Sequence, residues 1–162
     1  MAGTATFVLH THLPYCRLAG RWPHGEEWIH EALLECYIPL LQGFQDLSRR
    51  VDGSLGVTMN ITPILAEQLR DPLVQQHFSE YLGERQRRAH ADTQRFDAGS
   101  QLQQTALFHE ERYEAIHDAW TSLGGDVLGA FGALEALLQC DDVARSLVDH
   151  RPNSLSGACR GR

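Results

Sequence analysis

ATFVLHTHLP, residues 5–14, decides how this chain folds. Residues 5–9 (ATFVL) form a short, apolar, β-prone run of the kind found in a strand buried on both faces. Pro14 has no backbone donor, so a strand ladder cannot continue through it. His10 and His12 lie between the run and the proline. In a strand, residues i and i+2 point to the same face. Both imidazoles are therefore expected to project together from the C-terminal end of the strand. A second run with the same design spans residues 56–61 (GVTMNI) and leads straight into Thr62-Pro63. There the threonine suits an N-cap and the proline the first helical position.

Residues 15–25 form a loop that holds Gly20, Arg21, Trp22, Pro23 and Gly25. Over residues 26–47 the apolar positions Ile29, Leu33, Tyr37, Leu40, Phe44 and Leu47 recur at helical spacing. Glu26 and Glu27 fall in the first turn, where negative charge suits the helix dipole. Pro39 is expected to kink this helix or to loosen one of its turns. Asp52-Gly53 closes the unit. Two strands joined by a crossover helix make a parallel pair, and hence an α/β fold.

Asp71-Pro72 repeats the helix-start signal nine residues after Thr62-Pro63. Residues 73–138 carry no strand signal and are expected to form long helices. Breaks are expected near Ala98-Gly99-Ser100 and near Gly124-Gly125. Phe108, Tyr113, Ile116 and Trp120 supply an apolar stripe for the middle helix. Residues 84–95 (ERQRRAHADTQR) read as a solvated helix face. Residues 139–162 have a composition that packs poorly and are expected to fray or be disordered. Two strands are too few for a stable parallel sheet. Either a second chain completes the sheet, or this chain is the front part of something larger.

A length of 162 residues allows one domain with a real core. The formal charge of −7 argues against a nucleic-acid partner, which needs a basic footprint. Cys16, Cys36, Cys140 and Cys159 fit neither a CxxC pair nor a zinc ribbon, and read as reduced thiols. The apolar run near the N-terminus is too short for a signal peptide or a membrane span. A cytoplasmic protein without a membrane partner is expected.

The C-terminal ends of parallel strands are where α/β folds and barrels bind ligands. Three chemistries fit His10 and His12 there. They could start a zinc site, given further His, Asp or Glu ligands from other strand ends. As neutral imidazoles they could bond substrate hydroxyls. His10 could also be satisfied inside the core. Tyr15, Arg17 and Trp22 follow on the next loop. Aromatic rings beside hydrogen-bonding groups suit sugars, which have apolar faces and a rim of hydroxyls. His10, His12, Tyr15, Arg17 and Trp22 are thus the candidate substrate-binding residues.

The run His10-Thr11-His12-Leu13-Pro14-Tyr15, then Arg17, Trp22-Pro23 and Gly25-Glu26-Glu27, resembles the opening segment of glycoside hydrolase family 57. It is most similar to the 1,4-α-glucan branching enzymes of that family. The later run Ile61-Thr62-Pro63-Ile64-Leu65-Ala66-Glu67-Gln68-Leu69 matches their second strand and the turn after it. The resemblance implies a partial (β/α)7 barrel: the first two parallel strands, then a helix-rich segment. Residues 1–138 would be the N-terminal part of that catalytic barrel, and residues 139–162 a divergent tail. It also implies a retaining reaction on α-glucans. A glutamate attacks the anomeric carbon, an aspartate serves as acid and then base, and the chain passes to a sugar 6-hydroxyl. The first-motif histidines line the donor cleft, which maps onto His10 and His12. No metal or other cofactor is implied.

In the family both catalytic carboxylates lie on later strands, so the resemblance assigns no nucleophile or acid/base here. Glu26, Glu27 and Glu67 match no catalytic motif and read as helix-end carboxylates. Where the family enters its third strand, this chain reads Gln139-Cys140-Asp141-Asp142-Val143, as if in a shifted frame or truncated. The expected protein is a truncated branching-enzyme-like chain, inactive alone, whose partner is an amylose- or glycogen-like α-glucan. Its rivals are a non-catalytic carbohydrate-binding module, a module completed by a downstream chain, and a metal-dependent hydrolase built on the histidine pair.

Overall fold

The computed structural model describes residues 7–20, 25–50 and 57–138. Trp22, the Asp52-Gly53 turn, Cys140, Cys159 and the tail expected over residues 139–162 lie outside the described residues. Strands β1 (Phe7–Thr11) and β2 (Val57–Ile61) pair in parallel, in a register that sets His10 opposite Asn60. The helical crossover between them and the helices after β2 follow the order read from the sequence.

This sheet has one covered face. Leu9, Met59 and Ile61 alternate onto the side where the helices lie and pack into the core. Val8 and His10 point the other way and are exposed, Val8 at 68%. The expectation of a first strand buried on both faces is corrected here. An unbroken apolar run shows that a strand can be covered twice, but the described residues supply only one layer. Phe7, at the start of the covered side, also stays exposed.

The crossover comprises α1 (Glu27–Ala32), a five-residue π-helical segment (Leu33–Tyr37) and α2 (Ile38–Arg50). Pro39 explains the wide turn. It cannot donate to the carbonyl four residues back, and its ring crowds that carbonyl. The Ile38 N–H instead bonds the Leu33 carbonyl, and the helix continues with one loosened turn. Ile29, Leu33 and Tyr37 are buried, and Leu40 and Phe44 pack partly against the core. Leu47 is 40% exposed, so the apolar stripe runs further than the packing.

Four more helices follow: α3 (Pro63–Arg70), α4 (Pro72–Arg95), α5 (Gln101–Ser122) and α6 (Val127–Leu138). Asp71 caps α4 by accepting the Leu73 N–H at 2.8 Å. Thr62 occupies the N-cap of α3 in extended backbone, yet its side chain makes no cap bond. Its Oγ1 is buried without a partner among the described residues. Between α4 and α5, Gly99 takes φ +77° and Ser100 caps α5 through the Gln103 N–H. Between α5 and α6, Gly124 and Gly125 both take positive φ, where L side chains are strained.

The core lies where the six described helices meet the covered face of the sheet, α3 contributing Leu65 and Leu69. Phe78 is fully buried and meets Trp120 edge-on at 4.7 Å between ring centroids. The Trp120 indole N–H donates to Ser79 Oγ, which satisfies its one polar atom. Ile116 and Trp120 are buried and Tyr113 partly so, but Phe108 is 57% exposed. Phe108 lies five positions before Tyr113, about 140° round the helix, and so off the stripe. In residues 84–95 Ala89 and Thr93 are buried, while Arg87, Arg88, His90 and Arg95 face solvent. Among the described residues no helix is long and apolar enough to cross a membrane.

Candidate functional site

At the C-terminal end of the sheet His10 sits at its last-but-one position and His12 one residue past it. Both are exposed, and neither has a hydrogen bond or ion pair with another described residue. Among the described residues His10 stands apart from the helical core, on the face that no described helix covers. Among the described residues no group of three or more His, Cys, Asp or Glu side chains could hold a metal ion.

The loop after His12 is pinned at three points. Gln68, on α3 and 1% exposed, reaches into it. Its Oε1 accepts the Cys16 N–H at 2.8 Å and the Cys16 thiol at 3.2 Å. Its Nε2 donates to the Pro14 and Ile64 carbonyls at 3.1 and 3.2 Å. Arg17 pairs with Asp71, the cap of α4. Glu26, 3% exposed, accepts the Leu18 N–H at 2.7 Å and pairs with His77 Nδ1 at 2.5 Å. These bonds hold Leu18 at φ +60°, a strained value for a leucine. Farther along, the Glu26 N–H closes on the Gly20 carbonyl at 2.8 Å. A Cβ on Gly25 would run into that carbonyl, so only glycine fits.

The electrostatics follow from these partners. Burial pushes the Glu26 carboxyl up, but the Leu18 amide and His77 outweigh it and hold the group below its ordinary value. Asp71 behaves likewise: burial raises it, while the Leu73 amide and the Arg17 guanidinium bring it below the usual range. Burial raises the Cys16 thiol, which therefore stays protonated and inert.

Of the five residues expected at the site, His10 and His12 share the open end of the sheet. Tyr15 stands 63% exposed on the pinned loop. Arg17 is turned onto Asp71, and Trp22 lies outside the described residues. One aromatic residue was missed. Trp28, on the first turn of α1, is 39% exposed. With Leu13, Tyr81, Arg85 and Tyr113 it lines a cleft of about 560 Å³. Arg85 lies over the Tyr81 ring at 4.7 Å and bonds Glu27 at 3.0 Å. Trp28 falls off the apolar stripe of its helix, and a tryptophan left off a buried stripe was the signal available.

No protein-family model matches the chain. Over 135 residues it is 38% identical to a 1,4-α-glucan branching enzyme of Thermococcus kodakarensis, a match that takes in 83% of this chain and 19% of that protein. It is 34% identical over 145 residues to a probable 1,4-α-glucan branching enzyme of Mycobacterium tuberculosis, covering 90% of this chain and 24% of the relative. Its fold superposes on the GH57-type branching enzyme of Pyrococcus horikoshii with a TM-score of 0.77 and 37% identity, over 81% of this chain and 24% of the other. The α-amylase AmyC of Thermotoga maritima matches with a TM-score of 0.71 and 28% identity, over 81% of this chain and 25% of that one. The chain thus spans between 19% and 24% of the length of the curated relatives it matches.

Proposed function

We propose, starting from a chain that matches the N-terminal portion of glycoside hydrolase family 57 branching enzymes and reproduces two parallel strands and the helices of their (β/α)7 barrel, that it forms one wall of an α-glucan cleft. The observation that carries this reading is the exposed pair His10 and His12, without a hydrogen bond to any described residue, at the ligand-binding end of a parallel sheet. A neutral imidazole offers one donor and one acceptor, which suits a sugar hydroxyl. Tyr15, 63% exposed, offers an aromatic ring to the apolar side of a pyranose.

The chain by itself is non-catalytic in this reading. Retaining transfer needs two facing carboxyls. Glu26 is committed to Leu18 and His77, Glu27 to Arg85 and Glu35 to Arg112. Further barrel strands, from more of the same polypeptide or from a second one, would cover Val8 and the free edge of β1. We place the protein in the cytoplasm, in the metabolism of glycogen-like glucans; the free thiols of Cys16 and Cys36 are in keeping with that.

Native electrophoresis of the 162-residue chain through a gel containing soluble starch tests the reading. Retardation relative to a starch-free gel is expected, and the His10→Ala, His12→Ala double variant should lose it. Unretarded migration of the wild-type chain would sink the proposal. Incubation with amylose should leave iodine staining unchanged, and a falling signal would overturn the non-catalytic part.

A further inference from the structure

β2 carries an asparagine near its C-terminal end. Asparagine is disfavoured in strands, because its short amide competes with the backbone and packs poorly on a pleated surface. A strand asparagine therefore calls for a partner that its side chain satisfies. Asn60 has none. Its backbone carbonyl accepts the Thr11 hydroxyl at 2.8 Å, but its carboxamide makes no hydrogen bond with any described residue. The residue is half-buried, so the amide is neither lost in the core nor free to sweep through solvent.

Its place in the sheet supplies the reason. Asn60 is the register partner of His10. Partners in a parallel pair put their side chains on the same face, and here that is the face no helix covers. Met59 and Ile61, on either side of Asn60, turn to the core. Adjacent strands lie about 4.8 Å apart, comparable to the span of one pyranose ring. The imidazole and the carboxamide thus form a row across the strand ends. A carboxamide has a donor and an acceptor side by side, which matches two neighbouring hydroxyls. The carboxamide is uncharged and so favours neither an anion nor a cation over a neutral polyol.

We infer that Asn60 is a glucan-contacting residue, its carboxamide gripping a vicinal hydroxyl pair of the sugar ring whose neighbouring edge meets His10. This rests on the α-glucan reading of the site and assigns it a second row, on β2. Because the contact lies on the face turned away from the described helices, it should be separable from stability.

Two substitutions test it, each read by maltoheptaose binding to the full chain in calorimetry and by the thermal midpoint. Asn60→Ala removes the amide. Asn60→Thr removes it too but restores strand propensity, so a loss of binding cannot be ascribed to a weakened strand. Both variants are expected to bind about thirty-fold more weakly, the scale of two lost hydrogen bonds, with the midpoint of the threonine variant no lower than wild type. Wild-type binding by Asn60→Thr overturns the inference while leaving the α-glucan reading intact. Absence of maltoheptaose binding by the wild-type chain overturns both.

Discussion

One small sheet has two unlike faces. On the covered side Leu9, Met59 and Ile61 meet a helical core in which Phe78, Ile38 and Leu82 have no exposure at all. On the open side Val8 and His10 are exposed, and the side chains of His10 and Asn60 make no hydrogen bond with a described residue. The same strands and the same register serve both faces, so neither backbone geometry nor strand propensity distinguishes them. What differs is the demand. The covered face needs volume and shape, and is filled by apolar side chains. The open face holds hydrogen-bonding groups without a partner among the described residues, and such groups cost stability unless a ligand or solvent satisfies them. The two faces should therefore respond oppositely to substitution.

The largest effect belongs to the covered side. Phe78→Ala leaves a void between Trp120 and Tyr81 and should destabilise the chain by about 3–5 kcal/mol in urea unfolding. A loss much below that would mean the helices already pack loosely, and the contrast between the faces would fail. Next comes Gln68, which joins the covered side to the loop on the open side. Gln68→Leu orphans the buried Cys16 N–H and the Pro14 carbonyl and should cost about 2–3 kcal/mol.

Acid should release that loop before it harms the core. Glu26 and Asp71 both titrate below their ordinary values of 4.5 and 3.8. A carboxyl with a lowered folded pKa contributes stability that is complete above its unfolded pKa and is lost as the pH falls through the folded one. The Glu26–Leu18 and Arg17–Asp71 contacts should thus hold at neutral pH and open progressively below about pH 4. Hydrogen exchange of the Leu18 amide against that of Phe78 reads the order. Simultaneous loss of protection at both amides would show that the loop and the core are one unit.

How much of this was legible depends on which interactions carry the information. The helix breaks at Gly99 and at Gly124-Gly125, the cap at Asp71 and the loosened turn before Pro39 are local, and each could be read from one or two residues. The parallel pairing followed from the strand–helix–strand order. The engagement of Arg17 by Asp71 and the grip of Gln68 on Cys16 span 54 and 52 residues, and no spacing rule reaches that far, whereas the outward turn of Phe108 follows from its offset of about 140° from Tyr113. Periodicity likewise cannot say whether a second layer covers a strand, which is why Val8 looked buried. A loop position makes Trp22 conspicuous in the sequence, whereas Trp28 stands inside a helical pattern that hides it.

Thr62 tests the idea from the other direction, with a smaller effect. Its buried hydroxyl has no described partner, so it costs stability where it stands. Thr62→Val keeps the shape and removes the orphan, and should raise stability by up to about 1 kcal/mol in urea. A loss instead would mean that the hydroxyl bonds an ordered water, and that this strand end is satisfied by solvent.

The smallest stability change should come from the residue with the most to do. His10 is exposed and has no described partner, so His10→Ala should shift urea unfolding by no more than about 0.5 kcal/mol. Yet the same substitution should abolish most of the retardation of the chain by starch. A core residue behaves the other way: Phe78→Ala loses stability first, and binding only because the fold has gone. If His10→Ala destabilised the chain as a core variant does, the imidazole would be serving the fold. The open face would then be an unfinished packing surface and not a binding one. If it left both stability and binding untouched, the bare histidines would be bystanders. Only the split result, a stable chain that no longer holds glucan, shows that the unpaired groups on the open face are kept for a ligand.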